Sequence, residues 1–279
     1  MNKGTLKLRA VLRNPMVVIG FILFFSMVLV AIFADQIAPH SYETYDLADK
    51  LMAPCAEFPL GTDQYGRCIF SRIVYGSRIG LGVGLVAVAI ETVIGVALGI
   101  LAGYFGKVLD KIIMFVTDMV WSIPPIVLAM AIVLVLGSSA MNVAIAVALV
   151  TWAQFTKIVR AKVQSIRELP YIDAARVYGE SDLQIILRYI LPNLLSTIII
   201  LASLALPSAI LSTTSMGFLG LGAQQPQPDW GMILSDGIQY IQRAPWISIY
   251  PGVAIVWTVL GFNLTGEGFK SLLDPRLKV

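Results

Sequence analysis

Charge is what this 279-residue chain has least of. Asp, Glu, Lys and Arg make up 13 % of it and hydrophobic residues 57 %, where a soluble domain carries about 25 % charge. Histidine is nearly absent too, with His40 alone, and cysteine is limited to Cys55 and Cys68. One histidine in a loop builds no Ser/His/Asp or Cys/His constellation. His40 with two cysteines falls short of the closely spaced ligands of a zinc site, so no metal is expected. There is no G-x-x-x-x-G-K-[ST]. The glycine-rich stretches GLGVG (80–84) and GFLGLG (217–222) neither follow a strand nor open a basic helix, as phosphate cradling requires. The chain is therefore expected to bind no cofactor, to hydrolyse no nucleotide by itself and not to be an enzyme. Alternating ten-residue segments are also missing, which argues against a membrane β-barrel.

What is present is a set of apolar runs near 20 residues, the mark of a polytopic helical membrane protein. Six spans are predicted, at 16–34, 79–104, 112–136, 143–158, 194–215 and 247–264. A basic flank precedes the first run. That run is long for a signal peptide and no clean cleavage site follows it, so a retained span is expected. With the N-terminus inside, only Lys50, Arg67, Arg72, Arg78 and Arg243 of the 20 Lys and Arg residues fall on outer segments. The positive-inside rule then puts both termini in the cytoplasm. The net charge of +3 follows from this topology and calls for no nucleic acid. Cys55 and Cys68 share the first outer segment, where they can pair in an oxidising compartment or stay free. The chain divides into a cytoplasmic segment 1–15, a first span with outer loop 16–78, a transmembrane domain 79–271 and a cytoplasmic tail 272–279.

The most polar interruption is YIDAARVYGESDLQIILRYILPN, residues 171–193. Pro170 suits the first position of a helix, and Asp173 the positive helix end. Ala174 and Ala175 form a smooth surface that another protein can approach closely. Gly179 is placed to end the short helix. Ser181 and Gln184 read as a capping box opening a second one, and Pro192 breaks that helix or begins the next span. A helix, a tight bend and a helix entering the membrane can transmit force from a partner; a membrane-surface amphipathic helix is the alternative.

Within the membrane Glu91 stands out, since an acid at mid-span costs about 3 kcal/mol. Gly95, Gly99 and Gly103 continue its stripe at steps of four, so it faces a packed helix interface or a pathway. Asp118 lies about 9 Å along the third span from Ile112. It wants a partner, which Lys111 supplies only in part, and Pro124 with Pro125 favour a kink beyond it. Ser212 and Thr213, with Thr214 and Ser215, make the end of the fifth span polar, lining an outer vestibule or marking the water interface.

The Asp173-Ala174-Ala175, Gly179 and Leu191-Pro192 spacing resembles the EAA loop of membrane subunits of bacterial ABC importers. Here Asp replaces the usual Glu and Tyr189 the usual Ile. PLGTDQYGRCIFSRIVYGSRIGL (59–81), AGYFGKVLDKIIMFVTDMVWSIPPIVLA (102–129), GFLGLGAQQPQPDWG (217–231) and FNLTGEGFKSLLDPRL (262–277) are similar to segments of the oligopeptide, dipeptide and nickel permeases. Cys68 stands where Asp is more usual and Phe115 where Arg is common. The resemblance covers nearly the whole chain in order and is closest to the dipeptide-permease C type.

It implies a type I importer permease in the bacterial inner membrane, with six transmembrane helices and a coupling helix at about 170–190. The implied partners are a homologous second permease, two ATP-binding subunits holding ATP and Mg, and an extracytoplasmic solute-binding protein, besides the bilayer. Asp173, Ala174, Ala175, Gly179, Leu191 and Pro192 would couple to the ATPase. Asp229, Trp230 and Asp236, on the last outer loop with a helix at about 232–242, would meet the receptor as exposed residues. Short peptides are the expected cargo, with nickel or a metal chelate as the alternative. The rival class is an ATP-independent secondary transporter, which would show an inverted repeat and broken midplane helices.

Overall fold

The computed structural model describes residues 15–273. The basic N-terminal segment and the last six residues lie outside them. In chain order the helices are α1 (Pro15–Ile32), α2 (Ala34–Ile37), α3 (Ile69–Phe105), α4 (Lys107–Ser122), α5 (Pro125–Leu136), α6 (Ala140–Arg167), α7 (Pro170–Val177), α8 (Asp182–Ile185), α9 (Leu191–Phe218), α10 (Trp230–Ile238) and α11 (Trp246–Leu273). An isolated bridge pairs Thr62 with Cys68. Among the described residues, five helical stretches are long and apolar enough to cross a membrane alone: α1, α3, α6, the run Asp182–Phe218 and α11. The pair α4 and α5, bent by 92°, makes a sixth when the two are taken as one broken span.

The bend falls at Pro124 and Pro125, where a kink in the span 112–136 is expected, and is sharp enough to divide the span into two helices. Two prolines in tandem are the cause. The residue before a proline is pushed out of the helical region, and both Ile123 (ψ 136°) and Pro124 (ψ 125°) are extended. Pro125 then restarts the helix at its first turn, where its missing N–H costs nothing. The lone prolines Pro207 and Pro251 stay inside α9 and α11.

The centre of the fold is the seam between α3 and α6. Gly95, Gly99 and Gly103 on α3 face Phe155, Val159 and Val163 on α6, also at steps of four. A Cβ on Gly99 or Gly103 would lie 2.7 Å from the Cβ of Val159 or Val163, so the helices meet backbone to side chain.

α3 has 37 residues, about 55 Å, more than the roughly 30 Å of a bilayer core. It begins ten residues before the predicted span, and its N-terminal part is anchored to the end of α1 and to α2. Arg78 donates to Ala31 O (2.6 Å) and Ile32 O (3.1 Å) and pairs with Asp35 (2.9 Å). Both cysteines are free: Cys68 is buried at the start of α3 and Cys55 is exposed.

Candidate functional site

The polar interruption at 171–193 folds as a helix, a bend and a helix. Pro170 occupies the first turn of α7 after an extended Leu169. At the other end the Gly179 N–H donates to Arg176 O (3.0 Å) and the Glu180 N–H to Ala175 O (3.1 Å), a Schellman closure. Gly179 has φ +81°, and a Cβ there would meet nothing within 4 Å. Glycine is needed for the backbone angle, not for space. Ser181 and Gln184 form the expected capping box of α8.

Pro192 does not break the chain of helix that follows. The run Asp182–Phe218 is continuous, with a π turn at Ile186–Ile190 in which the Leu191 N–H reaches Ile186 O. The wider turn absorbs the missing N–H and the ring clash that Pro192 would impose on an α-helix. Asn193 Nδ2 caps the freed region by donating to Tyr189 O (2.6 Å).

The two alanines part company. Ala175 is buried with Ile172, packed against Ile185, Ile190, Val163, Ile166 and Tyr104 of the chain itself. It is not offered to a partner, because a helix that must be held on one face buries positions three apart, here 172 and 175. Ala174 and Asp173 are exposed, and Asp173 pairs with Arg176 at 2.9 Å. Beside them Val177 and Tyr178 are 87 % and 88 % exposed. Sequence reasoning missed these two, although the 172/175 spacing points to them as the opposite face. The bend itself is clamped. Tyr189 Oη donates to Glu180 Oε1 (2.9 Å), Tyr104 Oη to Asp182 Oδ1 (2.6 Å) and Arg167 to Tyr104 O (2.8 Å). The tyrosine at 189 thus serves as a strut between the bend and the start of α9.

In the membrane-spanning region Glu91 is 2 % exposed in the α3–α6 seam. Its Oε2 lies within hydrogen-bonding reach of the Thr151 hydroxyl, whose single hydrogen can be donated there or to Val147 O at 2.9 Å. Thr151 also lines a cleft with Pro125, Ile126, Ala129, Ser212 and Met216, between α5, α6 and α9. Ser212 and Thr213 diverge: Ser212 lines that cleft, whereas Thr213 is buried, donates to Ile210 O (3.0 Å) and borders a separate cavity with Asp229 and Trp230. Asp118 finds its partner across on α6, not in Lys111: Lys157 Nζ lies 2.7 Å from Asp118 Oδ1 and 5.3 Å from the centre of the Trp121 ring.

The receptor-contact expectation fails for Asp229 and Trp230. Trp230 is 2 % exposed; its Nε1 donates to Ile73 O (3.0 Å) and its ring sits on Gly76. Asp229 caps α10, accepting from the backbone N–H of Gly231 (2.7 Å), Met232 (3.2 Å) and Ala223 (3.3 Å). Burial pushes its pKa up, and those three donors pull against it. A loop rich in glycine and proline has few apolar side chains to hold it, so its tryptophan turns inward.

Asp236 is half-buried on a helix that begins at Trp230, two residues earlier than predicted, and accepts from Gln225 Nε2 (3.4 Å). Burial raises its pKa, opposed by Gln64 and then by Arg67 and Arg72. Nearby, Asp63 pairs with Arg67 (2.6 Å) and lies 3.7 Å from Arg72, which is fully buried. This cluster ties the first outer segment to the last. Tyr45, Leu47 and Tyr65 are among the side chains that remain exposed there.

Residues 95–279 match the family described as binding-protein-dependent transport system inner membrane component, and residues 7–54 match the N-terminal TM domain of oligopeptide transport permease C. The chain is 45 % identical over 266 residues to the dipeptide transport system permease protein DppC of Alkalihalophilus pseudofirmus, covering 95 % of this chain and 88 % of that one. It is 39 % identical over 271 residues to the glutathione transport system permease protein GsiD of Pectobacterium atrosepticum (97 % and 90 % covered). The probable D,D-dipeptide transport system permease protein DdpC of Escherichia coli K12 is 40 % identical over 263 residues (94 % and 88 %). A solved chain of the MetNI methionine ABC transporter, in an inward-facing conformation, superposes with a TM-score of 0.59 over 72 % of this chain and 96 % of that chain. At 19 % identity that likeness speaks for the fold alone. The protein is a multi-pass membrane permease and belongs to the family of binding-protein-dependent transport system inner membrane components.

Proposed function

We propose that this chain forms half of the pathway of an ATP-driven importer for short peptides. A homologous permease would supply the other half. Two ATP-binding subunits would hold ATP and Mg, and a receptor outside the membrane would deliver the cargo. The observation that carries the coupling role is the exposed Ala174, Val177 and Tyr178 face of α7, held on a clamped bend and continuous with α9. Exposed apolar side chains on a water-facing helix are an interaction surface, and a chain without a nucleotide-binding loop needs one. Asp173, Ala174 and Gly179 act at or beside that surface. Ala175, Leu191 and Pro192 act behind it, fixing α7 to the membrane helices.

Peptide cargo is supported by relatives at 39 to 45 % identity, which are named for dipeptide or glutathione transport. Nickel is not favoured, and Cys55 and Cys68 differ too much in burial to act as a pair of ligands. Glu91 is a seam residue in this reading, and the pathway runs by the Thr151 and Ser212 cleft. Residues 79–271 form the translocating unit and 16–78 an added span and outer segment, with both termini cytoplasmic.

The test is uptake and purification together. A strain lacking this chain should lose accumulation of labelled dipeptide and keep that of nickel, and the tagged chain should co-purify with two ATP-binding proteins. Transport by the isolated chain in liposomes without ATP would overturn the reading.

A further inference from the structure

Resting on the peptide-import reading, we propose that Asp118, Lys157 and Trp121 form a station at the inner end of the pathway that receives the two charged termini of a zwitterionic peptide. Asp118 takes the ammonium and Lys157 the carboxylate, each by exchanging its protein partner for the peptide.

Three observations lead there. First, the ion pair is not needed to hold its helices together. Asp110 on α4 and Arg160 on α6 already join them through two guanidinium nitrogens on both carboxylate oxygens, with side chains only 16 % and 28 % exposed. The Asp118 and Lys157 side chains are 67 % and 39 % exposed, open to a third partner. Second, the pair is an exposed polar feature on an apolar surface. It stands among exposed Phe115, Met119 and Trp121, and Lys157 closes a run, 140–156, that carries no charge. An exposed ion pair on such an apolar surface faces a water-filled pathway and not acyl chains.

Third, the pair lies next to the cleft. Going from one pair to the other advances eight residues on α4, about 12 Å, but three on α6, about 4.5 Å. The helices therefore cross steeply, and α4 turns by 92° into α5 just beyond Asp118. That turn delivers Pro125 and Ile126 to the cleft wall beside Thr151, which is six residues, about 9 Å, along α6 from Lys157. A dipeptide is about 7 Å long, so it passes from cleft to pair in one short step. Trp121 lies beneath the Lys157 ammonium and holds it by its ring face while the carboxylate partner is exchanged.

The experiment is labelled-dipeptide uptake by the full reconstituted complex, compared at equal amounts of assembled transporter. Asp118→Asn and Lys157→Gln should each lower uptake about tenfold, the size of one lost charge-assisted contact. Lys157→Arg, which keeps the charge, should stay within about threefold of wild type. The exchanged pair, Asp118→Lys with Lys157→Asp, restores a tie between helices but reverses the order in which the termini are met along the pathway, and sets a carboxylate over the Trp121 ring; uptake should stay low. Recovery to wild-type uptake in the exchanged pair would overturn the assignment and leave a structural tie. Unchanged uptake in the single variants would also overturn it. Those results leave peptide import standing, whereas a wild-type complex that carries no dipeptide would refute both.

Discussion

Ala175 and Tyr178 lie three residues apart on and beside the same short helix, and their substitution should fail in opposite ways. Ala175 is 4 % exposed among Ile172, Ile185 and Ile190. A glutamate there sets an unpaired charge into an apolar cluster, which costs about 3 kcal/mol or more. The α7 helix then leaves its seat, and purified transporter should melt several degrees lower. Tyr178 is 88 % exposed. Tyr178→Ala removes almost no contact within the chain, so the isolated subunit should keep its stability to within about 0.5 kcal/mol. At an interface, a buried tyrosine is worth about 2 kcal/mol, a loss of roughly thirtyfold in affinity.

The assay is paired: thermal unfolding of the detergent-solubilised subunit, and retention of the ATP-binding subunits on it. Ala175→Glu should lose both. Tyr178→Ala should lose only the second, and uptake with it. Unaltered ATPase binding in Tyr178→Ala would refute the assignment of the outward face. A melting shift in that variant as large as that of Ala175→Glu would refute the packing argument.

Other consequences are simpler to check. Glu91→Gln keeps an acceptor for the Thr151 hydroxyl, so assembly and dipeptide uptake should stay near wild type; a large loss of uptake with normal assembly would return Glu91 to the mechanism. Gly99→Leu drives a side chain into Val159, an overpacking of about 3 kcal/mol or more. It should abolish folded protein in the membrane, as seen by expression and protease resistance. Cys55 is exposed and Cys68 is 2 % exposed. A membrane-impermeant maleimide should label cells bearing the outer segment outside, and Cys55→Ser should remove the signal; labelling only after lysis would invert the proposed orientation.

The helices were legible because lipid imposes a composition. Apolar runs located the crossings, and the Gly95, Gly99, Gly103 stripe located the central seam before its partner helix was known. Local rules also sufficed for the bend after α7, where Gly179, Ser181 and Gln184 act within a few residues of one another. What was not legible depends on which side of an element meets the rest of the chain. Trp230 and Asp229 read as exposed because their loop is long and polar, yet the loop closes by burying Trp230 against α3 and turning Asp229 onto the start of α10. Asp118 was given Lys111, the nearest cation in sequence. Lys157 answers it instead, because tandem prolines turn α4 across α6, a relation no single-helix pattern contains.

The same logic explains why the membrane acids divide as they do. Glu91 lies in a seam where glycines bring two backbones together; it is 2 % exposed, with the Thr151 hydroxyl beside its Oε2. Asp118 lies on a helix that crosses α6 and turns by 92° into α5, and its side chain keeps an open side. Thr151 lies between the two regions, bonded to Glu91 on one side and bordering the cleft on the other. In the proposed assembly a push on α7 passes through Ile172 and Ala175 to the inner ends of α3 and α6, and through the π turn along α9 to Ser212 at the far wall of that cleft. From Asp182 to Ser212 is 30 residues, about 45 Å of helix. In that assembly the cleft would be bordered by α9, which carries the push along its length, and by α6, which the glycine seam ties to α3 so that the two shift together. A cargo between them would be released toward the Asp118 and Lys157 end when α9 turns.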